Sequence, residues 1–229
     1  MVYKKEVMLE KILVISPHPD DETLGAGGSL LKYKDLGAQL YWLNITNMTP
    51  EYGYHPDEIY EWEQILNNVN AQFQFTRFYD LKLKPAGLDE YPKSELIQKI
   101  ANVIREIEPT MVILPYLYDV HTDHKIVSEA VLSCTKTFRF PYIQKVLCME
   151  ILSETEYSAP PHQFVPNVFV DISPYIERKV ELLKLYKTEV AAHPFPRSEQ
   201  NLRCLANFRG SQCNCQQAES FMLLKEIIY

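Results

Sequence analysis

The stretch ILVISPHPDDETLGAGGSLLKYKDLGAQLYWLNI, residues 12–45, decides the fold. It opens on an unbroken apolar run, Ile12-Leu13-Val14-Ile15, closed by Ser16 and Pro17. A short run without polar alternation reads as a strand buried on both faces, the kind found inside a parallel sheet. Leu24 to Leu36 then spaces its apolar residues as a helix does, and Gly37 is placed to end it. Leu40 to Ile45 returns to a strand pattern. Strand, helix and strand within roughly 30 residues make a βαβ unit, and its crossover sets the two strands parallel.

The same alternation continues outward. Glu58 to Val69 reads as a helix, Phe73 to Phe78 as a strand, and Ser94 to Ile107 as an amphipathic helix closed by Pro109. Met111-Val112-Ile113-Leu114 is a second buried strand, cut off by Pro115, and a helix follows from about His124 to Cys134. Val146 to Leu152 and Val168 to Asp171 read as strands, and Ile176 to Thr188 as a helix. Ala191 to Ser198 holds Pro194 and Pro196 and is expected as a surface loop, while the chain from Gln216 onward is helix or strand. Repeats, low-complexity tracts and linkers are lacking. The expectation is one α/β domain over 1–229, Rossmann-like, with a mostly parallel sheet flanked by helices.

Composition limits the function. Of 229 residues, 46% are hydrophobic and 23% charged, an ordinary globular balance that argues against disorder. The formal charge of −7 repels phosphate backbones, so nucleic acid is not expected as a partner. Lys4 and Lys5 imitate the basic start of a leader, but Glu6, Glu10 and Lys11 interrupt the apolar stretch that follows. Ile12 to Ile15 is too short for a leader core, and no stretch approaches a membrane span. The five cysteines are odd in number and late in the chain, which suits a reducing compartment and a cytoplasmic location. Cys213-Asn214-Cys215 has the wrong spacing for a zinc knuckle and lacks a second pair.

In an open parallel sheet, ligands collect beyond the carboxyl ends of the strands. Two ionisable segments fall there: Pro17-His18-Pro19-Asp20-Asp21-Glu22 and Asp119-Val120-His121-Thr122-Asp123-His124. Each has an ordinary reading on its own. Acids at a helix start are favoured by the dipole, and a His-x-x-His pair is often only capping or surface. Together, after two buried strands, they point to more. The prolines restrict the first loop, and adjacent carboxylates there can divide labour, one binding a cation and its neighbour facing water. His121 and His124 share a helix face. One His and one carboxylate from the first loop, with one His from the second, give three ligands and an open fourth position, the arrangement of a catalytic zinc.

At these residues the chain resembles the LmbE-like, or PIG-L, family of zinc-dependent N-acetylglucosaminyl deacetylases. His18-Pro19-Asp20-Asp21-Glu22 matches the family's first motif, and Pro115-Tyr116 followed by His121-Thr122-Asp123-His124 its second. Leu83 to Pro92, Pro166 to Ser173 with Lys179, Phe208-Arg209-Gly210 and Ala218 to Phe221 extend the likeness over nearly the whole chain. The resemblance implies that His18, Asp21 and His124 hold one Zn²⁺, with Fe²⁺ or another divalent ion possible in such a set. It implies that Asp20 is the general base, that His121 in protonated form meets the oxyanion or leaving amine, and that Asp123 orients His121 and keeps its pKa up. The substrate class implied is a small N-acetylated sugar or conjugate, and a homo-oligomer is compatible with it.

The chain departs from the family at Tyr60, where many members carry a substrate-facing Arg in the helix after the second strand. Arg139, Arg197 and Arg209 are candidate replacements, and Tyr116, Arg209 and His193 candidate substrate contacts, with the aromatics Tyr52, Tyr54 and Tyr118 near the expected mouth. His55-Pro56-Asp57-Glu58 imitates the first motif without its second Asp and reads as a helix start. Two alternatives stand beside deacetylation. One is a zinc amidohydrolase or esterase acting on another small molecule. The other is a metal-dependent sugar-binding protein without turnover, against which intact Asp20 and His121 argue.

Overall fold

A computed structural model describes residues 10–228. The leader-like residues Lys4, Lys5 and Glu6 and the two ends of the expected 1–229 domain lie outside the described residues.

One seven-stranded sheet runs through the protein in the order β3-β2-β1-β4-β5-β7-β6. Its strands are β1 (Lys11–Ser16), β2 (Gln39–Thr46), β3 (Arg77–Leu83), β4 (Met111–Pro115), β5 (Lys145–Met149), β6 (Val168–Asp171) and β7 (Ala218–Glu226). The first five are parallel, and β7 enters antiparallel between β5 and β6. Strand alternation assigns the core. Ile12 and Val14 of β1 belong to one apolar cluster, which takes up α1 (Asp21–Asp35), α2 (Pro56–Phe73), α5 (Ile176–Leu183) and α6 (Glu199–Gln212). Leu13 and Ile15 belong to the other, under α3 (Lys93–Ile107) and α4 (Thr122–Ser133). Burial on both faces is why β1 reads as a continuous apolar run.

The chain builds outward from β1 to β3, then returns to lay β4 on the other side of β1. Strand order therefore reverses between β1 and β4, and the loops leaving their carboxyl ends diverge to open a crevice. These are the loops that carry the two ionisable segments. Parallel pairing of Ile12 with Met111 and Val14 with Ile113 puts their exits side by side.

Four elements differ from the sequence reading, among them β5, which ends at Met149 and not at Leu152. β3 begins at Arg77 and not at Phe73, because α2 continues to Phe73 and ends on Gln74 in the left-handed region (φ 54°). Phe73 and Phe75 are both buried, so they serve the core without being strand residues. Helix α5 stops at Leu183, short of the expected Thr188. Helix α6 was not anticipated, since it buries only Leu202, Ala206 and Gly210, a stripe too narrow to give a periodic apolar signal. Its start was nonetheless written in Ser198, whose side chain accepts the Asn201 N–H at 3.2 Å.

Helix α1 lies unusually close to its neighbours. A Cβ on Gly28 would stand 2.8 Å from Ile172, so only glycine allows this approach. A buried polar clamp holds α1 there. The Glu219 carboxylate of β7 accepts from the Gly28 and Ser29 N–H groups at 2.8 and 2.7 Å. Lys179 of α5 donates to Glu219 at 2.6 Å and to the Leu24 carbonyl at 2.7 Å. Removing one member strands a buried charge, which generally costs ~3–5 kcal/mol. Lys179→Met is therefore expected to lower unfolding stability by that amount in urea titration. A loss below ~1 kcal/mol, the range of exposed pairs, would mean that the clamp does not hold α1.

Candidate metal centre

The loop after β1 is anchored before it reaches its ionisable groups. Ser16 accepts from the Trp42 indole at 2.6 Å, and the Pro17 carbonyl accepts from the Thr46 backbone and hydroxyl at 3.0 and 2.7 Å. Asp20 then caps α1 with a backbone φ of 126°, a region that costs a non-glycine residue ~1–3 kcal/mol. The surrounding bonds hold it. Its N–H donates to Glu22 at 3.1 Å, and its carbonyl accepts from Thr23 and Leu24 at 3.0 and 2.8 Å. Glu22 is fully buried, accepts from the Thr23 and Tyr186 hydroxyls, and has its pKa raised by burial to about 7.

The structure brings together His18, Asp21, His121 and His124. Ring centroids of His18 lie 4.5 Å from His121 and 5.3 Å from His124. Ligand atoms of His18, Asp21 and His124 fall within 4.8 Å of one another. Asp21 Oδ2 stands between the imidazoles, 3.6 Å from His18 Nδ1 and 3.4 Å from His124 Nε2, and accepts the His18 backbone N–H at 2.8 Å.

The other ring nitrogens are held from behind. His124 Nδ1 is 2.8 Å from Asp119 Oδ2, and the second Asp119 oxygen accepts the Thr155 hydroxyl at 2.7 Å. That carboxylate fixes the proton on Nδ1 and turns the Nε2 lone pair inward. His124 Nε2 is buried and has no hydrogen-bond partner among the described residues. A buried lone pair without a partner is costly, and a cation seated between Nε2, Asp21 and His18 Nδ1 would remove that cost. The residues fit a divalent ion. Without one, a proton takes its place. Burial opposes charge on His124, but Asp21 and Asp119 outweigh it and raise its pKa to about 10.

His18, His121 and Asp123 also have ligand atoms within 4.8 Å. Donor chemistry separates the two sets. The Asp123 carboxylate already accepts the Ala86 N–H at 2.8 Å and the Leu88 N–H at 3.2 Å, and it meets His18 Nε2 at 3.1 Å. It is saturated, whereas His124 Nε2 is not.

This geometry corrects the expected role of Asp123. Its carboxylate orients His18, and among the described residues no hydrogen bond joins it to the His121 ring. Only its backbone N–H reaches His121, donating to Nδ1 at 3.1 Å where His121 caps α4. The ring proton of a neutral His121 therefore sits on Nε2. Burial, with His18 and His124 close by, pushes the His121 pKa down to about 4. That direction runs against the imidazolium expected for His121.

A cleft of about 260 Å³ opens over these groups. Asp20 lines it, 4% exposed, with its pKa pushed well up by burial and by Asp21. Met48, Tyr54 and Trp62 form an apolar wall, and Ser153, Glu154, Glu189 and Arg197 a polar one. Tyr116, Arg209 and His193, expected as substrate contacts, are elsewhere. Tyr116 is buried and donates its hydroxyl to the His162 and Gln163 carbonyls. Arg209 is occupied by Glu150, and exposed His193 lies 3.2 Å from Asn201. Of the expected aromatics only Tyr54 faces the cleft. Asp119, Trp62 and Glu154 were not singled out in the sequence. Asp119 stood inside the second segment five residues before His124, and that spacing was its only signal.

A Rossmann-like α/β sheet with a His/Asp/His group and a neighbouring carboxylate at its switch point defines a class of candidate metal-dependent enzymes. The family model described as PIG-L, GlcNAc-PI de-N-acetylase, matches residues 13–135, and the chain belongs to that family. It is 25% identical over 228 residues to a diacetylchitobiose deacetylase of Thermococcus kodakarensis, covering 96% of this chain and 85% of that one. It is 25% identical over 193 residues to a probable N-acetyl-α-D-glucosaminyl L-malate deacetylase of Bacillus anthracis, covering 79% and 81%. The N,N′-diacetylchitobiose deacetylase structure from Pyrococcus horikoshii superposes with a TM-score of 0.75 at 21% identity, over 94% of this chain and 84% of that one, which establishes the shared fold.

Asp119→Ala is expected to weaken divalent-ion affinity by ~10–100-fold, the usual effect of losing a ligand's carboxylate partner. Competition against a chromophoric chelator measures it. Unchanged affinity would remove His124 from the ligand set.

Proposed function

We propose that the protein is a divalent-metal hydrolase, with Zn²⁺ its ion, that removes the acetyl group from an N-acetylglucosamine-type sugar or conjugate. The observation that carries this reading is the buried Nε2 of His124, without a hydrogen-bond partner among the described residues, facing Asp21 and His18 beside a cleft that also holds Asp20. Family membership and the deacetylase relatives support the reaction class.

His18, Asp21 and His124 would hold the ion, which when bound supplies a Lewis acid that makes water nucleophilic near neutral pH and polarises an acyl oxygen. The chain's own groups do the rest. Asp20 accepts the proton of the attacking water as its oxygen bonds to the amide carbon. His121 donates its Nε2–H toward the oxygen on which negative charge develops, a contribution typically of ~3–4 kcal/mol. As the carbon–nitrogen bond breaks, the proton held by Asp20 passes to the leaving nitrogen. Acetate and a free amine result. The sugar rests on Trp62 and Tyr54. The backbone of Asp20 is pinned through Glu22, so its carboxylate stays aimed at the reacting water.

Among the described residues no helix is long and apolar enough to cross a membrane.

Asp20→Asn should retain the ion at unchanged stoichiometry while lowering acetate release by ~10²–10⁴-fold, the usual worth of a general base. Metal analysis and an acetate assay on one preparation decide the matter. Loss of metal together with activity would make Asp20 a ligand and overturn the assignment.

A further inference from the structure

We infer that the cleft selects N-acetylated amino sugars whose remaining substituent is uncharged and turns away those that carry a carboxylate or phosphate. This rests on the proposed hydrolase reading and narrows its substrate class.

Four carboxylates line the cleft, from Asp20, Asp21, Glu154 and Glu189. Among the described residues, Arg197 is the only Lys or Arg that lines it. That guanidinium is already paired, with three of its five N–H groups bonded. Its Nη2 donates to Glu189 Oε2 at 2.9 Å, its Nε to the Glu189 carbonyl at 2.9 Å, and its Nη1 to Ser153 Oγ at 3.3 Å. Helix α2 brings Trp62 and no cation to the cleft, and its Tyr60 is 65% exposed and outside it. A divalent ion at the His/Asp/His group would offset the charge on Asp21 and any on Asp20, while Glu189 is offset by Arg197, which leaves the Glu154 carboxylate without a cationic partner among the described residues.

An anionic substituent entering this space meets like charge, which costs several-fold in affinity or more and works against association from a distance. The one guanidinium that could answer it has its charge already offset by Glu189. A neutral sugar meets no such conflict. Its hydroxyls can donate to Glu154 and Glu189 in charge-assisted hydrogen bonds, which carboxylates accept well, while Trp62 and Tyr54 take its apolar face. The pairing with Glu189 thus makes Arg197 a fixed part of the wall and not an anion receptor.

The test uses two N-acetylglucosaminides identical except for the substituent, methyl in one and a carboxylate-bearing malyl group in the other, with the corresponding free amines for calorimetric binding. The expected result is at least roughly tenfold tighter binding of the methyl amine and a kcat/KM ratio in the same direction. Affinity for the malyl compound should rise with added salt, because salt screens repulsion, while that for the methyl compound stays level. Glu189→Gln, which frees the guanidinium, should shift the ratio toward the malyl compound by roughly tenfold, the worth of one charge-assisted hydrogen bond. Equal or tighter wild-type binding of the malyl compound, or an affinity for it that falls with salt, overturns the inference even if the variant does not fold. Binding in the expected ratio with no acetate released from either glycoside would count against the hydrolase reading and uphold the charge selection.

Discussion

The carboxylate of Asp21, placed between the imidazoles of His18 and His124, is the constraint around which the rest is organised. Three groups that each compete for protons are gathered at the floor of the cleft, two of them buried, and a cation or a proton among them relieves the competition. Each imidazole is turned toward Asp21 by a second carboxylate behind it, Asp123 for His18 and Asp119 for His124. Those carboxylates are in turn held by Ala86, Leu88 and Thr155. Hydrogen bonds running in one direction, from scaffold to carboxylate to ring, fix both tautomers and leave the ring nitrogens that face the centre as acceptors.

The fold pays for this centre with strain in the loops that deliver it. Asp20, Ala86 and Ser153 all line the cleft, and all adopt positive φ without being glycine. In each case the strained backbone serves a neighbour: Asp20 starts α1, Ala86 presents its N–H to Asp123, and Ser153 offers its hydroxyl to Arg197. The clamp of Lys179 and Glu219 on α1 belongs to the same arrangement. It fixes the helix whose first turn carries Asp21, and it is drawn from α5 and β7, far along the chain.

The cleft divides its work between its walls. The apolar side, with Trp62 and Tyr54, gives shape without charge, and the polar side is a set of carboxylates with one guanidinium locked among them. Under the proposed function, reaction and recognition draw on different parts of the chain, the reacting groups from the loops after β1 and β4 and the recognising groups from Tyr54, α2 and the segments around residues 153 and 189–197.

Much was legible in the sequence by itself. The apolar runs Ile12–Ile15 and Met111–Leu114 announced two buried strands, and the polar segments that follow them hold the residues gathered into one His/Asp/His group, because in a parallel sheet the strands' carboxyl ends open on a common crevice. The alternation of elements and five of the strands followed from local pattern. Only the tertiary structure decided how the halves meet and which carboxylate serves which imidazole. Asp123 and His121 are two residues apart, yet α4 turns the carboxylate away to His18, 105 positions earlier in the chain. Arg197, Glu154 and Trp62 enter the cleft, while Arg209, Tyr116 and His193 do not, and no local pattern separates these groups. Periodicity reports which face of an element is buried; it carries nothing about which distant surface arrives to cover that face.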